Sequence, residues 1–365
     1  MKKLYVGLDV HKKFCQAVVM TESGDVIKRE KIRTCMDDIV EFFRDLPPSV
    51  VAVESSGLVE PVYNWITGAK SEHGSSGNGH VVKVSHPLKT RAIASARIKT
   101  DKIDAEILAN LARTDLLPES YIPPMDIREL RDLCRERANY VRERAKWKTR
   151  LKAELARLGI SPPIDDIFTD AGMRWLTSIA EKLRTNKSEK ILNMISTIKF
   201  ESMIIKRIDE RIESAAAGNK YIRILKSIKG IGTYSASLIY SGIGDINRFP
   251  TPEHLCSYAG LVPSTHQSGN TIRHGRITKN GSKYLRWILT ECVKVHINKC
   301  DSSITGFYRR LRRSKGTQKA TVAAARKLLL AIYWMMKEGR EFEPFPDIPK
   351  GTKRQNSEQR TANSE

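Results

Sequence analysis

The chain has 365 residues, of which 63 are Lys or Arg and 41 are Asp or Glu, for a formal net charge of +22. Hydrophobic residues make up 40% of the sequence. At roughly 100–200 residues per domain, we expect two or three folded domains. The sequence predicts neither a membrane span nor a signal peptide. The six cysteines form no CxxC pair, which argues against a disulfide scaffold or zinc ribbon and favours a reducing cytoplasm.

The positive charge is distributed unevenly along the chain. Residues 265–340 carry 17 basic and 3 acidic side chains, a net +14, whereas residues 1–116 carry 17 and 15, a net +2. A dense positive field of this kind favours a polyanionic partner, and nucleic acid is the commonest one. The alternative is a solvated basic surface that binds nothing.

The N-terminal third predicts a mixed α/β domain with the element order βββαβαβα. Its first three strands form an antiparallel meander, and later strands alternate with helices. The strands are predicted at 4–10, 14–20, 26–32, 49–54 and 81–84, and the helices at 37–45, 58–67, 87–96 and 102–113. The Gly/Ser-rich stretch 68–80 is interpreted as a flexible surface insertion. Periodicity alone supports only the mixed α/β class.

The remainder of the chain is predominantly helical. A linker spans 118–124, and a charge-rich pattern with apolar residues at helical spacing predicts one long helix over 126–158. We expect this helix to pack against another helix or another chain, as in a coiled coil. Helices continue over 173–218, and 221–339 is again helical with glycine turns. The polar tail from 351 is expected to be disordered.

Four carboxylates stand out in the N-terminal third. Asp9 and Glu54 each lie at the end of an apolar strand, where a charge is costly unless it lies at an edge or in a site. Asp101 and Asp104 are spaced i, i+3, which places both on one helix face. Together, four such carboxylates suit two Mg²⁺ ions that act on a phosphodiester bond. Taken singly, a strand-end Asp is more often a cap, and DxxD is usually a solvated helix face.

A second group of candidate residues lies in the C-terminal part. The segment with Lys229, Gly230 and Gly232 resembles a helix-hairpin-helix turn, which aims backbone N–H groups at a phosphate. An ordinary helix–helix turn explains this segment equally well.

A polar, glycine-rich loop follows, with small hydroxyl residues at its centre and cations around it. A serine there can donate a hydrogen bond to a phosphate or attack the phosphorus, and composition does not choose between the two. The basic residues expected to contact nucleic acid in this region are Arg273, Arg276, Lys279, Lys283, Arg309, Arg310, Arg312 and Arg313.

These segments resemble those of one known family. GLDVHK, VVAVESSG, RIKTDKIDAEILANL and SIKGIGTYSASLI, with the polar loop beyond them, are similar to the DEDD-type insertion-sequence transposases of the IS110 family, which is related to the Piv-type DNA invertases. The resemblance covers roughly residues 4–338. It implies a RuvC-like (ribonuclease-H-like) α/β N-terminal domain, an α-helical coiled-coil spacer and a mainly α-helical transposase domain. We place these at 1–116, 117–218 and 219–340, with a tail over 341–365.

The resemblance also implies an activity and a set of site residues. The family consists of recombinases whose donor and target DNA are chosen by base pairing to an element-encoded bridge RNA. Carried over by motif, Asp9, Glu54, Asp101 and Asp104 match the metal-binding tetrad. The nucleophilic serine falls on Ser268, in Gln-Ser-Gly where the family's usual pattern is Ser-Ser-Gly, and Ser264 is the second choice.

Three functions are therefore weighed from the sequence. The first is a Mg²⁺-dependent DNA transposase or recombinase with a phosphoserine intermediate, acting on double-stranded DNA with a guide RNA in the cytoplasm of a prokaryotic cell, as a dimer or tetramer. The second is a RuvC-like junction nuclease that cuts with activated water. The third is a non-catalytic RNA- or DNA-binding protein.

Overall fold

The computed structural model describes residues 3–55, 57–68, 79–93, 101–268 and 271–345. It divides the chain into two compact units, Met1–Ile122 and Pro123–Glu365. Most of the predicted insertion at 68–80 and the predicted tail from 351 lie outside the described residues. For the backbone-only stretches 265–268 and 271–274, no side chain is described.

The first unit is built on a five-stranded mixed sheet. In this sheet β2 pairs antiparallel with both β1 and β3, whereas β4 runs parallel to β1 and β5 runs parallel to β4. The spatial order is β3-β2-β1-β4-β5. The strands are β1 (Leu4–Val10), β2 (Phe14–Met20), β3 (Val26–Arg33), β4 (Ser49–Glu54) and β5 (Val81–Ser85). The antiparallel start and the later α/β crossovers agree with the predicted mixed α/β class.

Helices cover both faces of this sheet. The four helices of the first unit are α1 (Met36–Arg44), α2 (Val59–Thr67), α3 (Pro87–Ile93) and α4 (Asp101–Arg113). On one face, α1 and α2 bury Phe42, Phe43 and Val62 against the central strands. On the other, Leu108 and Leu111 of α4 pack against the sheet. Central strands covered on both faces are nearly all apolar, as their sequences are.

The second unit begins with three helices, of which the two long ones pack side by side. These are α5 (Met125–Arg157), α6 (Asp170–Glu181) and α7 (Thr185–Ala216). Arg137 of α5 pairs with Asp209 near one end of the helix pair, and Glu154 accepts a hydrogen bond from Lys190 near the other. The two helices are therefore antiparallel. The helix predicted over 126–158 thus finds a partner within its own chain.

The remaining helices form a common core with one end of that pair. They are α8 (Lys220–Lys226), α9 (Thr233–Ile243), α10 (Pro252–Tyr258), α11 (Lys283–Lys299) and α12 (Ser303–Glu338), with a short 3₁₀ turn at Ile246–Arg248. Ile127 and Leu130 of α5 share this core with Ile208 and Ile212 of α7 and with the C-terminal helices. The C-terminal region is mainly helical, as predicted.

The polar segment near Ser268 differs from the prediction of a loop. The structure pairs β6 (Pro263–Ser268) with β7 (Thr271–Ile277) as an antiparallel hairpin. The sequence of these strands has no alternation of apolar and polar residues, so it does not predict them. They pair through backbone hydrogen bonds, which any residue except proline can form. Within the part of the chain that is described, no helix is both long and apolar enough to cross a membrane.

Candidate active site and nucleic-acid surface

The sheet of the first unit brings two of the predicted carboxylates to one edge. β1 and β4 are parallel neighbours with Leu8 opposite Val53, so Asp9 and Glu54 follow at the carboxyl ends of adjacent strands. Asp9 is almost fully buried, with 7% of its surface exposed. The carboxyl ends of parallel strands are where α/β sheets commonly carry their ligand sites.

Gly7 determines how closely α4 approaches this edge. A Cβ at this position would lie 1.8 Å from the carbonyl oxygen of Ala105 and 2.6 Å from the amide nitrogen of Ala109. Only glycine permits such close packing of helix on strand. Because α4 packs on β1 in this way, its first turn, which contains Asp101 and Asp104, lies beside the end of the strand.

His11 joins this group, although the sequence reasoning did not identify it. Its Nε2 lies 3.1 Å from Oδ2 of Asp9 and 3.3 Å from Oδ2 of Asp101. The same nitrogen is buried and has no hydrogen-bond partner of acceptable geometry among the described residues. The three side chains offer ligand atoms within 4.8 Å of one another. The spacing Asp-x-His in GLDVHK was the available signal.

The electrostatics of Asp9 reflect the whole tetrad. Burial raises the pKa of the Asp9 carboxyl above its ordinary value, and His11 partly opposes that rise. The negative charges of the other three carboxylates, Asp101, Asp104 and Glu54, raise the pKa further. Four carboxylates within electrostatic reach of one another repel unless a cation lies among them.

Glu54 and Asp104 line a small cavity of about 60 Å³ next to this group. Its walls include Thr90, whose Oγ1 is buried without a hydrogen-bond partner in the described structure. A single water needs a cavity of only ~10–15 Å³, so the space holds water beside the two carboxylates, and Arg91 also lines it. The oxygen-rich donors suit a hard divalent cation such as Mg²⁺, and the imidazole also suits softer divalent metals. The residues therefore fit a metal.

The hairpin of the second unit carries the candidate nucleophile. Ser268 is the last residue of β6 and pairs with Thr271 of β7; its side chain lies outside the description. Ser264 lies near the start of β6, where its Oγ occupies the space that a Cβ on Gly275 would need.

The base of this hairpin is anchored to the end of α10. Nη1 of Arg286 donates hydrogen bonds to the carbonyl oxygens of Ala259, Asn280 and Gly281, at 3.0–3.2 Å. Gly281 also approaches the carbonyl of Tyr258 so closely that a Cβ would overlap it. These contacts anchor the chain just after the C-terminal end of β7.

The predicted basic residues lie on several elements of the second unit. Arg276 and Lys279 follow the hairpin, Lys283 begins α11, and all three are exposed. The cluster on α12 is exposed as well, and only Arg309 in it forms an ion pair with a described residue, Asp301, at 3.3 Å. The other cluster members are Arg310, Arg312 and Arg313. For Arg273 only the backbone is described.

The predicted helix-hairpin-helix segment joins α8 to α9. Gly230 has φ of +100°, and a Cβ there would lie 3.0 Å from the amide nitrogen of His296. Gly232 is the N-cap of α9 and provides no capping side chain, and Lys229 beside them is exposed. Glycine is thus required at 230 by both conformation and packing. Phosphate binding by this turn stays a prediction.

Comparison with known proteins agrees with this arrangement of a carboxylate site and a basic helical region. A family model for DEDD transposases of the IS110 type matches residues 6–160, and the model described as "Transposase IS116/IS110/IS902 family" matches residues 222–309. The fold and the carboxylate edge thus coincide with the DEDD transposase class. The chain belongs to the IS110 family of transposases.

Individual relatives are similar over most of their length. A probable family 20 transposase of Pseudomonas aeruginosa is 24% identical over 81% of this chain and 84% of its own. The transposase for insertion sequence element IS1328 of Yersinia enterocolitica is 25% identical over 81% and 84%. The pilin gene-inverting protein of Moraxella lacunata is 26% identical over 94% and 98%.

Proposed function

We propose that this chain is a DNA recombinase that cuts and exchanges phosphodiester bonds, with a metal-dependent cleavage site in its first unit. The observation that carries the proposal is the meeting of Asp9, His11 and Asp101 at one end of the sheet, next to the cavity lined by Glu54 and Asp104. The strand order β3-β2-β1-β4-β5, with its antiparallel start, supports a RuvC-like, ribonuclease-H-like domain.

Asp9, Glu54, Asp101 and Asp104 would hold two Mg²⁺ ions, with His11 as an adjoining donor. Such ions would supply positive charge that stabilises the attacking and leaving oxygens of a phosphodiester displacement. The contribution of the chain itself is positional. Burial of Asp9 limits access of water, and the close packing at Gly7 holds the two α4 carboxylates against the strand that carries Asp9.

The covalent step is assigned to Ser268. Its Oγ would attack phosphorus and form an oxygen–phosphorus bond while the bond from phosphorus to the departing deoxyribose oxygen breaks, and the proton lost by the serine hydroxyl would pass, directly or through water, to that departing oxygen. The position of Ser268 at the end of β6, in a hairpin whose base is anchored by Arg286, supports this role. Exposed Arg276 and Lys279 on the same segment would bind the flanking phosphates.

We further propose that base pairing to a bridge RNA selects the donor and target DNA, as the family resemblance implies. The protein would then bind RNA shape and the DNA backbone, for which the net +14 of residues 265–340 provides the charge. The packing of α5 on α7 supports a coiled-coil spacer, and assembly into a dimer or tetramer is proposed from the family resemblance. Such a protein acts in the prokaryotic cytoplasm, where it is associated with the nucleoid when bound to DNA.

The test is a recombination assay on the DNA ends of the cognate element, with the RNA that this element encodes. We expect Asp9→Ala to abolish Mg²⁺-dependent strand cleavage and Ser268→Ala to abolish both recombination and a protein–DNA adduct trapped by denaturation. Ser264→Ala is the matched control and should retain the adduct. Cleavage without any adduct would instead identify a nuclease that uses water. Binding without cleavage would identify a non-catalytic protein.

A further inference from the structure

A second polar cleft lies in the helical region of the second unit, well separated in sequence from the serine hairpin. It has a volume of about 690 Å³ and is formed by α5, the segment before α6, α6 itself and α7. Four cations contribute to its wall, and two carboxylates, Asp170 and Glu181, leave the lining with a net charge of +2. The cations are Arg144, Lys148, Arg174 and Lys199.

These cations are not neutralised by ion pairs. Among the described residues, none of the four has a carboxylate oxygen within 4 Å, whereas each of four other cations of α5 and α7 forms an ion pair, namely Arg137, Lys146, Arg157 and Lys190. Burial lowers the pKa of the Lys148 ammonium, and the positive charges of Arg144 and Lys152 lower it further, although Asp166 opposes them. Crowded cations of this kind repel one another, and an anion between them relieves the repulsion.

The cleft is also held in shape before any ligand binds. The ammonium of Lys148 lies 4.5 Å from the ring centroid of Phe168, a cation–π contact between two residues of the lining. Nη1 of Arg144 donates a 3.1 Å hydrogen bond to Oγ of Ser202. Gly172 packs on the backbone of Ile167 so closely that a Cβ at 172 would lie 2.5 Å from the Ile167 carbonyl oxygen, next to Phe168 in the chain. Preorganised donors lose less entropy on binding than mobile ones.

We propose that this cleft binds the phosphodiester backbone of a nucleic-acid strand through Arg144, Lys148, Arg174 and Lys199. The inference rests on the proposed function, because that function supplies a nucleic acid as partner. Planar guanidinium groups and ammonium groups are the donors that bind phosphate oxygens. The volume falls within the ~300–1,000 Å³ of small-ligand sites, which suits a short stretch of one strand.

The experiment measures binding by the full chain to a labelled single-stranded RNA, the single-stranded DNA of the same sequence and the matching duplex DNA. Fluorescence anisotropy over a range of salt concentrations gives the Kd and the slope of log affinity against log salt. The test variant combines Lys148→Gln with Arg174→Gln. The matched control combines Lys187→Gln with Arg207→Gln, which are exposed cations of α7 outside the cleft lining.

For the test variant we expect binding weaker by on the order of tenfold and a single-strand slope lower by about 1.4, because two phosphate contacts are lost at ~0.7 each. The control should change both values much less, and unchanged melting temperatures for both variants show that the fold is intact. A loss confined to RNA, single-stranded DNA or duplex identifies which strand occupies the cleft.

Equal Kd and slope for the test and control variants with all three probes overturns the proposal. So does a cleft-dependent loss for labelled polyglutamate with none for the oligonucleotides, since the occupant is then an acidic protein segment. The outcome is separable from that of the proposed function. The anisotropy titrations are made without Mg²⁺ and measure binding alone, so a cleft that binds the probes is detected whether or not the recombination assay shows strand cleavage.

Discussion

Replacing Gly7 with alanine tests whether close packing of α4 on β1 assembles the carboxylate site. A Cβ at Gly7 would lie 1.8 Å from the carbonyl oxygen of Ala105, and real Cβ atoms do not come within 3.0 Å of such an atom. Strand and helix must therefore separate by at least about 1.2 Å. The carbonyl oxygen belongs to the backbone of α4, and the position of the Cβ is fixed by the backbone of β1. No side-chain rotation can therefore relieve the clash.

The separation has two measurable consequences. Overpacking of a tight core contact costs about 1–3 kcal/mol, which should appear as a lower free energy of unfolding in urea. A shift of about 1 Å at Asp101 and Asp104 relative to Asp9 should also lower the rate of strand cleavage by roughly 100-fold. The stability measurement does not depend on the proposed activity.

Gly57→Ala is the matched control, because a Cβ at Gly57 meets nothing within 4 Å. Because Gly57 lies three residues after Glu54, this control also shows whether a glycine-to-alanine change near the site lowers stability without a clash. We expect its free energy of unfolding to stay within about 0.5 kcal/mol of the wild type. If Gly7→Ala unfolds and cleaves like the wild type, α4 is not held against β1 as described, and the argument for the site fails with it.

Three buried side chains of the second unit, Glu201, Ser302 and Cys134, can be tested by substitution or by chemical modification. Glu201 is buried with Oε2 unpaired among the described atoms, and burial raises its pKa, so the charged form opposes folding. Glu201→Met should raise the free energy of unfolding by about 1 kcal/mol at neutral pH. This gain should shrink as pH falls, because the folded wild type takes up its proton before the unfolded chain does. Ser302 caps α12 and lies 2.8 Å from Nε2 of buried His296. Ser302→Ala should lower the free energy of unfolding by about 2 kcal/mol in the same urea titration. Burial raises the pKa of the Cys134 thiol to about 12. At neutral pH, iodoacetamide followed by mass spectrometry should therefore show alkylation of the partly exposed Cys300, and of Cys134 only after unfolding.

Much of the first unit could be predicted because its sequence pattern has one interpretation. The apolar runs ending in Asp9 and Glu54 predict buried strands, and the structure has them at Leu4–Val10 and Ser49–Glu54. The i, i+3 spacing of Asp101 and Asp104 likewise predicts a shared helix face. These are local signals, and nothing in the tertiary structure opposes them.

The rest depends on contacts between segments that are distant in sequence. His11 is an ordinary surface residue by pattern, and it joins the site only because β1 ends beside the first turn of α4. The need for glycine at position 7 comes from Ala105, almost a hundred residues later. The hairpin of Pro263–Ser268 and Thr271–Ile277 lacks apolar alternation in its sequence, and its strands pair through backbone hydrogen bonds. The sequence likewise predicts that α5 packs on another helix or another chain without identifying α7 as that partner, because the two helices meet only in the folded chain.

The separation of charge between the two units has a physical consequence for the metal site. A single positive charge 10 Å from a divalent ion opposes its binding by about 0.8 kcal/mol in water before screening, and by about a third of that at physiological salt. Ten surplus cations at such distances would therefore weaken metal binding by ~2–3 kcal/mol. Residues 1–116 carry a net charge of only +2, and the +14 resides in 265–340. For the proposed function, the low net charge of residues 1–116 thus favours metal binding and the excess charge of residues 265–340 favours phosphate binding. Replacing acidic residues of the first unit with lysine, for example Glu22→Lys together with Glu60→Lys, should therefore raise the Mg²⁺ concentration needed for half-maximal cleavage.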